Sequence, residues 1–117
     1  MNALFIVLNK KDYLEEILAI LVKRKVTGAT ILESQGMASA IVNDEYTSIP
    51  LFGSLRKALT NRHPYNQTIF SVIKDDEQLE YVISDIENLV KDDKDNGIGL
   101  LFTVPVGQVH SLGNKES

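Results

Sequence analysis

The stretch that decides the fold is residues 68–90, which read TIFSVIKDDEQLEYVISDIENLV. Its first part, residues 68–73, is apolar and β-branched, as strands typically are. Asp75, Asp76 and Glu77 follow, and acids suit the N-terminal end of a helix dipole. Apolar residues then recur at helical spacing: Leu79, Val82, Ile83, Ile86 and Val90. The stretch therefore predicts a strand followed directly by an amphipathic helix.

The same order occurs at the beginning of the chain. Residues 3–8 are almost wholly apolar, which is typical of a central strand buried on both faces. Asp12 and Glu15 have the spacing of an acidic capping box. A helical apolar pattern follows: Leu14, Ile17, Leu18, Leu21 and Val22. We expect this helix to end near Lys25, where clustered cations suit a helix C-terminus.

Two further strands complete the pattern, at residues 29–35 and 100–106. The order is βαββαβ, and it predicts an α+β fold: a ferredoxin-like sandwich with a four-stranded antiparallel sheet and two helices on one face. Residues 1–113 are expected to form one domain. Residues 114–117 are polar and are expected to form a flexible tail.

A long insert, residues 37–66, separates the second and third strands. Loops longer than about 12–15 residues are uncommon in compact domains and are usually functional or disordered. Part of the insert could form a short amphipathic helix, with apolar residues on one side and cations on the other: Leu51, Phe52, Leu55 and Leu59, then Arg56, Lys57 and Arg62. This helix either covers the protein's own core or a neighbouring subunit, or docks on a partner protein.

Composition excludes several classes of protein. The formal net charge of -4 argues against a nucleic-acid partner, because such binding depends on Lys and Arg neutralising phosphates. The chain contains no cysteine, which excludes disulfides, thiolate metal sites and cysteine nucleophiles. No apolar run is long enough for a signal peptide or a membrane span. We therefore expect a cytoplasmic protein that does not insert into membranes.

The residue pattern offers little support for metal binding or catalysis. His63 and His110 are the only histidines, and neither has a carboxylate at helical ligand spacing. Ser48, Ser54 and His63 lack an obvious third catalytic partner. We predict no metal site, no catalytic residue and no enzymatic activity.

Aromatic and glycine residues give two weaker signals. RNA-recognition modules with this element order stack bases on strand aromatics, and Phe5 and Phe70 are expected instead to be core residues. Gly97 and Gly99 flank Ile98, a pattern that lets backbone N–H groups approach an anion but that also forms plain turns.

With its two strand-helix-strand halves and the long insert between them, the chain resembles the PII signalling superfamily. Those proteins are trimeric regulators in which a ferredoxin-like body carries a long mobile T-loop between its second and third strands. The resemblance covers residues 3–113. It is carried by residues 28–31 leading to Gly36 at the loop base, and by residues 97–99 before the last strand.

The resemblance implies a homotrimer that binds a small effector in the cleft between adjacent subunits. The residues it places around that cleft are Thr30, Gly36, Met37, Ala38, Gly97, Ile98, Gly99 and Leu100. It also implies that the insert docks on a target protein, and in PII relatives such targets are often membrane transporters or metabolic enzymes.

The chain departs from the family pattern where phosphates would bind. The usual glycine, aspartate, glycine, lysine of the B-loop is replaced by residues 97–100, Gly-Ile-Gly-Leu. The arginines usual after the last strand are replaced around His110, Ser111 and Leu112. Each lost charge-assisted contact removes roughly 1.5–3 kcal/mol. An adenine nucleotide is therefore one candidate effector beside other nucleotides and small anions. The alternative is a structural trimer with a statically packed insert and no effector.

Overall fold

The computed structural model describes residues 1–37 and 65–113. Its elements are β1 (Asn2–Leu8), a 3₁₀ turn (Lys11–Tyr13), α1 (Leu14–Lys23), β2 (Thr30–Gln35), β3 (Tyr65–Ile73), α2 (Asp76–Val90) and β4 (Gly99–Pro105). The predicted βαββαβ order is confirmed.

The four strands form one antiparallel sheet in the order β2-β3-β1-β4. This is the ferredoxin-like order, so the predicted fold class is confirmed. The register aligns Phe5 of β1 with Phe70 of β3 on one side and with Phe102 of β4 on the other. Thr30 of β2 continues the same row beyond Phe70. One line of residues therefore crosses the middle of the whole sheet.

The hydrophobic core lies between the sheet and the two helices. Alternate residues of β1 and β3 point into it, because side chains alternate between the two faces of a strand. Its buried members include Leu4, Ile6, Leu8, Ile69 and Ile73 from the strands. The helices contribute Ile17, Leu21, Leu79, Val82 and Ile86.

Most of the predicted helix positions face this core, but Val22 does not. Ile17 and Leu21 are buried, whereas Val22 is 65% exposed. At 3.6 residues per turn, Val22 points about 100° away from Leu21 around the helix. Ile20, on the opposite flank, packs against the core instead.

The two helices begin differently. Asp75 caps α2 as its acids predict, and its Oδ1 accepts hydrogen bonds from the N–H groups of Glu77 and Gln78 at 2.9 and 3.4 Å. The capping box predicted for α1 is wrong. Asp12 lies within the 3₁₀ turn, and the residue before α1, Tyr13, makes no side-chain cap.

The strand that follows the insert begins earlier than its sequence indicates. β3 begins at Tyr65 rather than at residue 68, so the last two residues of the predicted insert pair with β2. Gly36, which precedes the insert, and Met37, its first residue, are described. Residues 38–64 lie outside the described part of the chain, and so does the predicted tail, 114–117.

Candidate functional site

The residues predicted to bind an effector fall into two groups on opposite edges of the sheet. Thr30 lies at the start of β2, and Gly36 and Met37 follow its end. Gly99 and Leu100 begin β4, on the other edge strand. Glu33, Gln67, Leu8 and Gly99 lie in one row across the sheet. The end of β2 and the start of β4 are therefore at the same end of the sheet, separated by two strands.

A polar cluster lies on β2 and β3 at the base of the insert. The Ser34 hydroxyl lies 2.9 Å from the Thr68 hydroxyl and donates to the side chain of Asn66. Asn66 is buried, which is unusual for an amide side chain unless it is hydrogen-bonded. These contacts fix the two strands where the insert leaves and re-enters the sheet.

Several predicted site residues lie outside the described part of the chain. Ala38 is the only member of the predicted effector group among them. All the predicted partner-binding residues also lie outside the described part: Leu51, Phe52, Leu55, Arg56, Lys57, Leu59 and Arg62. Their roles stay predictions.

The loop before β4 is held by a carboxylate cluster that sequence reasoning missed. Asp93 Oδ2 accepts a hydrogen bond from Lys10 Nζ at 2.8 Å and another from the Tyr13 hydroxyl at 2.6 Å. Its Oδ1 accepts from the N–H of Asp95 at 2.9 Å. These contacts lower the pKa of Asp93 far below its usual range, with the Lys10 hydrogen bond as the largest cause. The loop is thereby tied to the chain that leaves β1.

The next residues of this loop are also fixed by hydrogen bonds. The Ile98 carbonyl accepts from the N–H groups of Asn9 and Lys10, at 2.9 and 3.1 Å. The N–H of Gly97 donates to Asp95 Oδ1 at 2.8 Å. An anionic effector would have to compete with the Asp95 carboxylate for that donor.

We expect the Asp93→Asn variant to melt at a lower temperature than the unmodified protein at pH 7. The folded-state pKa of Asp93 is depressed, so its stabilising effect is present above the unfolded pKa of about 3.9 and is lost as the pH falls through the folded value. The difference in melting temperature should therefore narrow between pH 4 and pH 2, which a calorimetric pH series measures.

Asp92 supplies the control for this measurement. It is exposed and adjacent in sequence, and Asp92→Asn should leave the melting temperature nearly unchanged. A deficit of Asp93→Asn that stays constant from pH 7 to pH 2 would contradict an ionic role for Asp93.

The face of the sheet opposite the helices carries a row of stacked aromatic rings. The Phe5 ring stacks on Phe70 with centroids 5.7 Å apart and on Phe102 with centroids 5.1 Å apart. Phe102 is 41% exposed. The expectation that Phe5 and Phe70 are core residues is wrong, because both belong to this second face, which neither α1 nor α2 covers.

We call this surface the open face, defined by the strand residues that share it. They are Ala3, Phe5, Val7, Thr30, Leu32, Ser34, Asn66, Thr68, Phe70, Val72, Leu100, Phe102 and Val104. None of these described residues is charged. Although aromatic rows on this face are typical of RNA-recognition modules, the lack of Lys and Arg here removes the usual phosphate contacts.

The described residues offer no other obvious chemical centre. Within residues 1–37 and 65–113, no three His, Asp or Glu side chains are grouped so that they could hold a metal ion. His110 Nε2 lies 3.0 Å from Gln108 Oε1 near the end of the described chain. Among the described helices, none is both long and apolar enough to cross a membrane.

Comparison with protein-family models finds no match for this chain, and comparison with curated proteins finds none either. The fold established here is a small α+β sandwich with a four-stranded antiparallel sheet.

Proposed function

We propose that this chain is a non-enzymatic, homotrimeric, PII-like signal-transduction regulator. The proposed regulator is cytoplasmic, binds an effector in the cleft between adjacent subunits and controls a target protein through the 37–66 insert. The ferredoxin-like strand order and the position of the insert between β2 and β3 support it. Both are properties that the family resemblance implies.

The open face is the observation that carries this proposal. Leu32, Phe102 and Val104 on this face are 50%, 41% and 42% exposed. Four strands at about 4.8 Å spacing make the face roughly 20 Å wide and about 20 Å long. The whole face therefore measures roughly 400 Å², and nine of its thirteen residues are apolar, which brings it near the size of patches that often mark an interaction site. Further copies of the chain would cover this face. That the assembly contains three copies is implied by the resemblance to the PII superfamily.

The positions of the two effector groups also support a site shared between subunits. Within one chain, β2 and β4 lie about 14 Å apart across the sheet, since three strand spacings separate them. One small ligand cannot easily contact both Met37 and Gly99 of the same chain. In the proposed assembly, the β2 end of one subunit meets the β4 start of its neighbour.

The insert would transmit the effector signal to the target. An effector changes an equilibrium only by its difference in affinity for the two states, and a tenfold preference supplies about 1.4 kcal/mol. Membrane transporters and metabolic enzymes are the target classes that the resemblance implies. A static trimer without an effector is the second candidate, because an apolar open face also favours an assembly with a purely structural role.

A thermal-shift screen with ATP, ADP, AMP, cyclic AMP and inorganic phosphate tests the effector. We expect one of these to raise the melting temperature, since a ligand at 100 times its dissociation constant stabilises by about 2.7 kcal/mol. Met37 is 75% exposed at the base of the insert, and Met37→Glu should abolish most of the shift by repelling the anion.

Leu112 provides the matched control, because it is a large apolar residue that is 94% exposed in the segment after β4. Leu112→Glu should keep the full shift. If none of the five compounds stabilises the protein, the static alternative replaces the regulator. If Met37→Glu shows the full rise in melting temperature, the base of the insert does not belong to the effector site.

A further inference from the structure

The side of α1 that points away from α2 carries an exposed apolar residue. Arg24 Nε donates to Asp85 Oδ2 of α2 at 2.6 Å, so the Arg24 side of α1 faces that helix. Val22 precedes Arg24 by two residues and therefore points about 160° away from it around the helix. Glu15, Leu18 and Val22 follow one another at spacings of three and four residues, so they share this side. Val22 is 65% exposed.

The helix-facing side of β2 continues this apolar strip. α1 joins β1 to β2, and β3 lies between those two strands, so the free side of α1 lies towards β2. Ile31 and Glu33 point to the helix side, because they alternate with the β2 residues of the open face. Ile31 is 42% exposed, although its register partner on β3, Ile69, is 1% exposed. We call this surface the α1–β2 flank, defined by Glu15, Leu18, Val22, Ile31 and Glu33.

The two carboxylates of the α1–β2 flank are exposed. Within residues 1–37 and 65–113, neither Glu15 nor Glu33 forms an ion pair. The nearby cations are also exposed and lie at the two ends of the helix: Lys11 precedes α1, whereas Lys23 and Lys25 lie at its C-terminal end. The middle of the flank is therefore apolar, and its two acids are available to cations from another segment.

Both acids lie at the end of the sheet where the insert leaves and re-enters. Glu33 shares a row with Leu8, the last residue of β1, and the chain then enters the first turn of α1, which contains Glu15. Tyr65, the first residue of β3, pairs with Gln35 two residues beyond Glu33. A cation close to either end of the insert would therefore lie near these carboxylates.

The insert has the matching pattern and the necessary reach. Arg62 is three residues before Tyr65, so it lies within roughly 10 Å of the end of β2. Leu51 is fourteen residues after Met37, a link of at most roughly 50 Å. The flank itself is only about 10 Å long from Glu15 to Val22. The apolar side of the helix that the sequence predicts in the insert contains Leu51, Phe52, Leu55 and Leu59.

We propose that this predicted helix of the insert lies on the α1–β2 flank of its own chain. Its leucines contact Val22 and Ile31, and Arg56 and Arg62 lie beside the two glutamates. Long arginine side chains can reach such acids from the edge of an apolar contact.

The proposed contact would be autoinhibitory. It covers the same apolar side of the insert that would meet the target protein of the proposed regulator, so it competes with target binding. This regulatory consequence rests on the proposed function, whereas the contact itself does not.

A single spin label tests the contact in the full chain, without effector or target. The chain contains no cysteine, so Ser54→Cys takes one nitroxide label. We expect the label to remove more than half of the methyl NMR intensity of Val22 and Ile31. Val104, on the open face at the far side of the sheet, should keep its intensity. Unchanged Val22 and Ile31 signals would overturn the proposal.

A mixed sample separates the same chain from a neighbouring copy. Spin-labelled chains without isotopes are refolded together with isotope-labelled chains that carry no spin label. The Val22 and Ile31 signals should keep their intensity in this mixture. Broadening there would place the insert on a neighbouring subunit and would overturn the assignment to its own chain.

Charge reversal tests the role of the two glutamates. Glu15→Lys combined with Glu33→Lys should remove most of the broadening, and adding Arg56→Glu with Arg62→Glu should restore it. Glu80→Lys is the matched control, because Glu80 is an exposed acid on α2, and it should leave the broadening unchanged. Equal effects of the control and the double variant would overturn the charge pairing.

The contact and the proposed regulator can fail separately. Absent broadening in a protein that a nucleotide stabilises would overturn the contact and leave the regulator intact. Broadening in a protein that none of the five compounds stabilises would support the contact and remove its regulatory role.

Discussion

Replacing Phe102 by lysine is expected to break the assembly into single folded chains. Phe102 lies on the open face, where its ring stacks on Phe5 with an interplanar angle of 7°. Covering this face with another copy would bury the new ammonium group without a partner, which costs several kcal/mol. Each 1.4 kcal/mol is a tenfold loss of affinity, and a trimer contains three such sites.

The single chain should tolerate the same change. Phe102 is 41% exposed when no neighbour is present, so the lysine head can reach water while its stem lies over the sheet. Circular dichroism should therefore report an unchanged fold.

Val22→Lys is the matched control for this experiment, since Val22 is a 65% exposed apolar residue on α1, away from the open face. It should keep the mass of the unmodified protein in light scattering. Leu32→Lys, on the β2 side of the open face, should dissociate the assembly as Phe102→Lys does. Equal masses for Phe102→Lys and the unmodified protein would mean that the open face is not the contact surface.

Replacing Gly99 by alanine should destabilise the fold strongly. A Cβ at this position would overlap the backbone oxygen of Val7 and lie 3.2 Å from the Cα of Leu8. Both neighbours are backbone atoms of β1, which pairs with β4 here, so neither can move without disturbing the sheet. We expect a loss of about 2–3 kcal/mol in the free energy of unfolding, measured by urea denaturation.

Two other glycines provide controls. A Cβ on Gly28 or Gly107 would meet no atom within 4 Å. Alanine at either position should change the stability by less than about 1 kcal/mol. A Gly99→Ala protein as stable as these controls would contradict the packing role, and it would leave close approach to a ligand as the reason for glycine at this position.

The order of the elements could be predicted from the sequence because each has a clear periodicity. Residues 68–90 illustrate this: β-branched residues give way to a helical apolar stripe, and the acid before it caps the helix as expected. The position of Phe5 and Phe70 on the open face could not be predicted. An apolar strand predicts that both faces are buried, but it does not indicate whether the same chain or another copy covers the second face.

The contacts of Asp93 could not be predicted either. Its partners Lys10 and Tyr13 are 83 and 80 residues away in the sequence, and the charged loop 91–96 gives no periodic signal that would connect them. The available signal was indirect: the end of β1 and the start of β4 must be neighbours in this fold, so polar residues just outside both strands come close together.

The mass of the unmodified chain in solution tests the central claim most directly. Multi-angle light scattering across a range of concentrations gives this mass without any variant or ligand. With chains of 13.0 kDa each, the proposed homotrimer predicts a mass near 39 kDa. A mass near 13 kDa at all concentrations would leave the open face uncovered and would contradict both the assembly and the shared effector site.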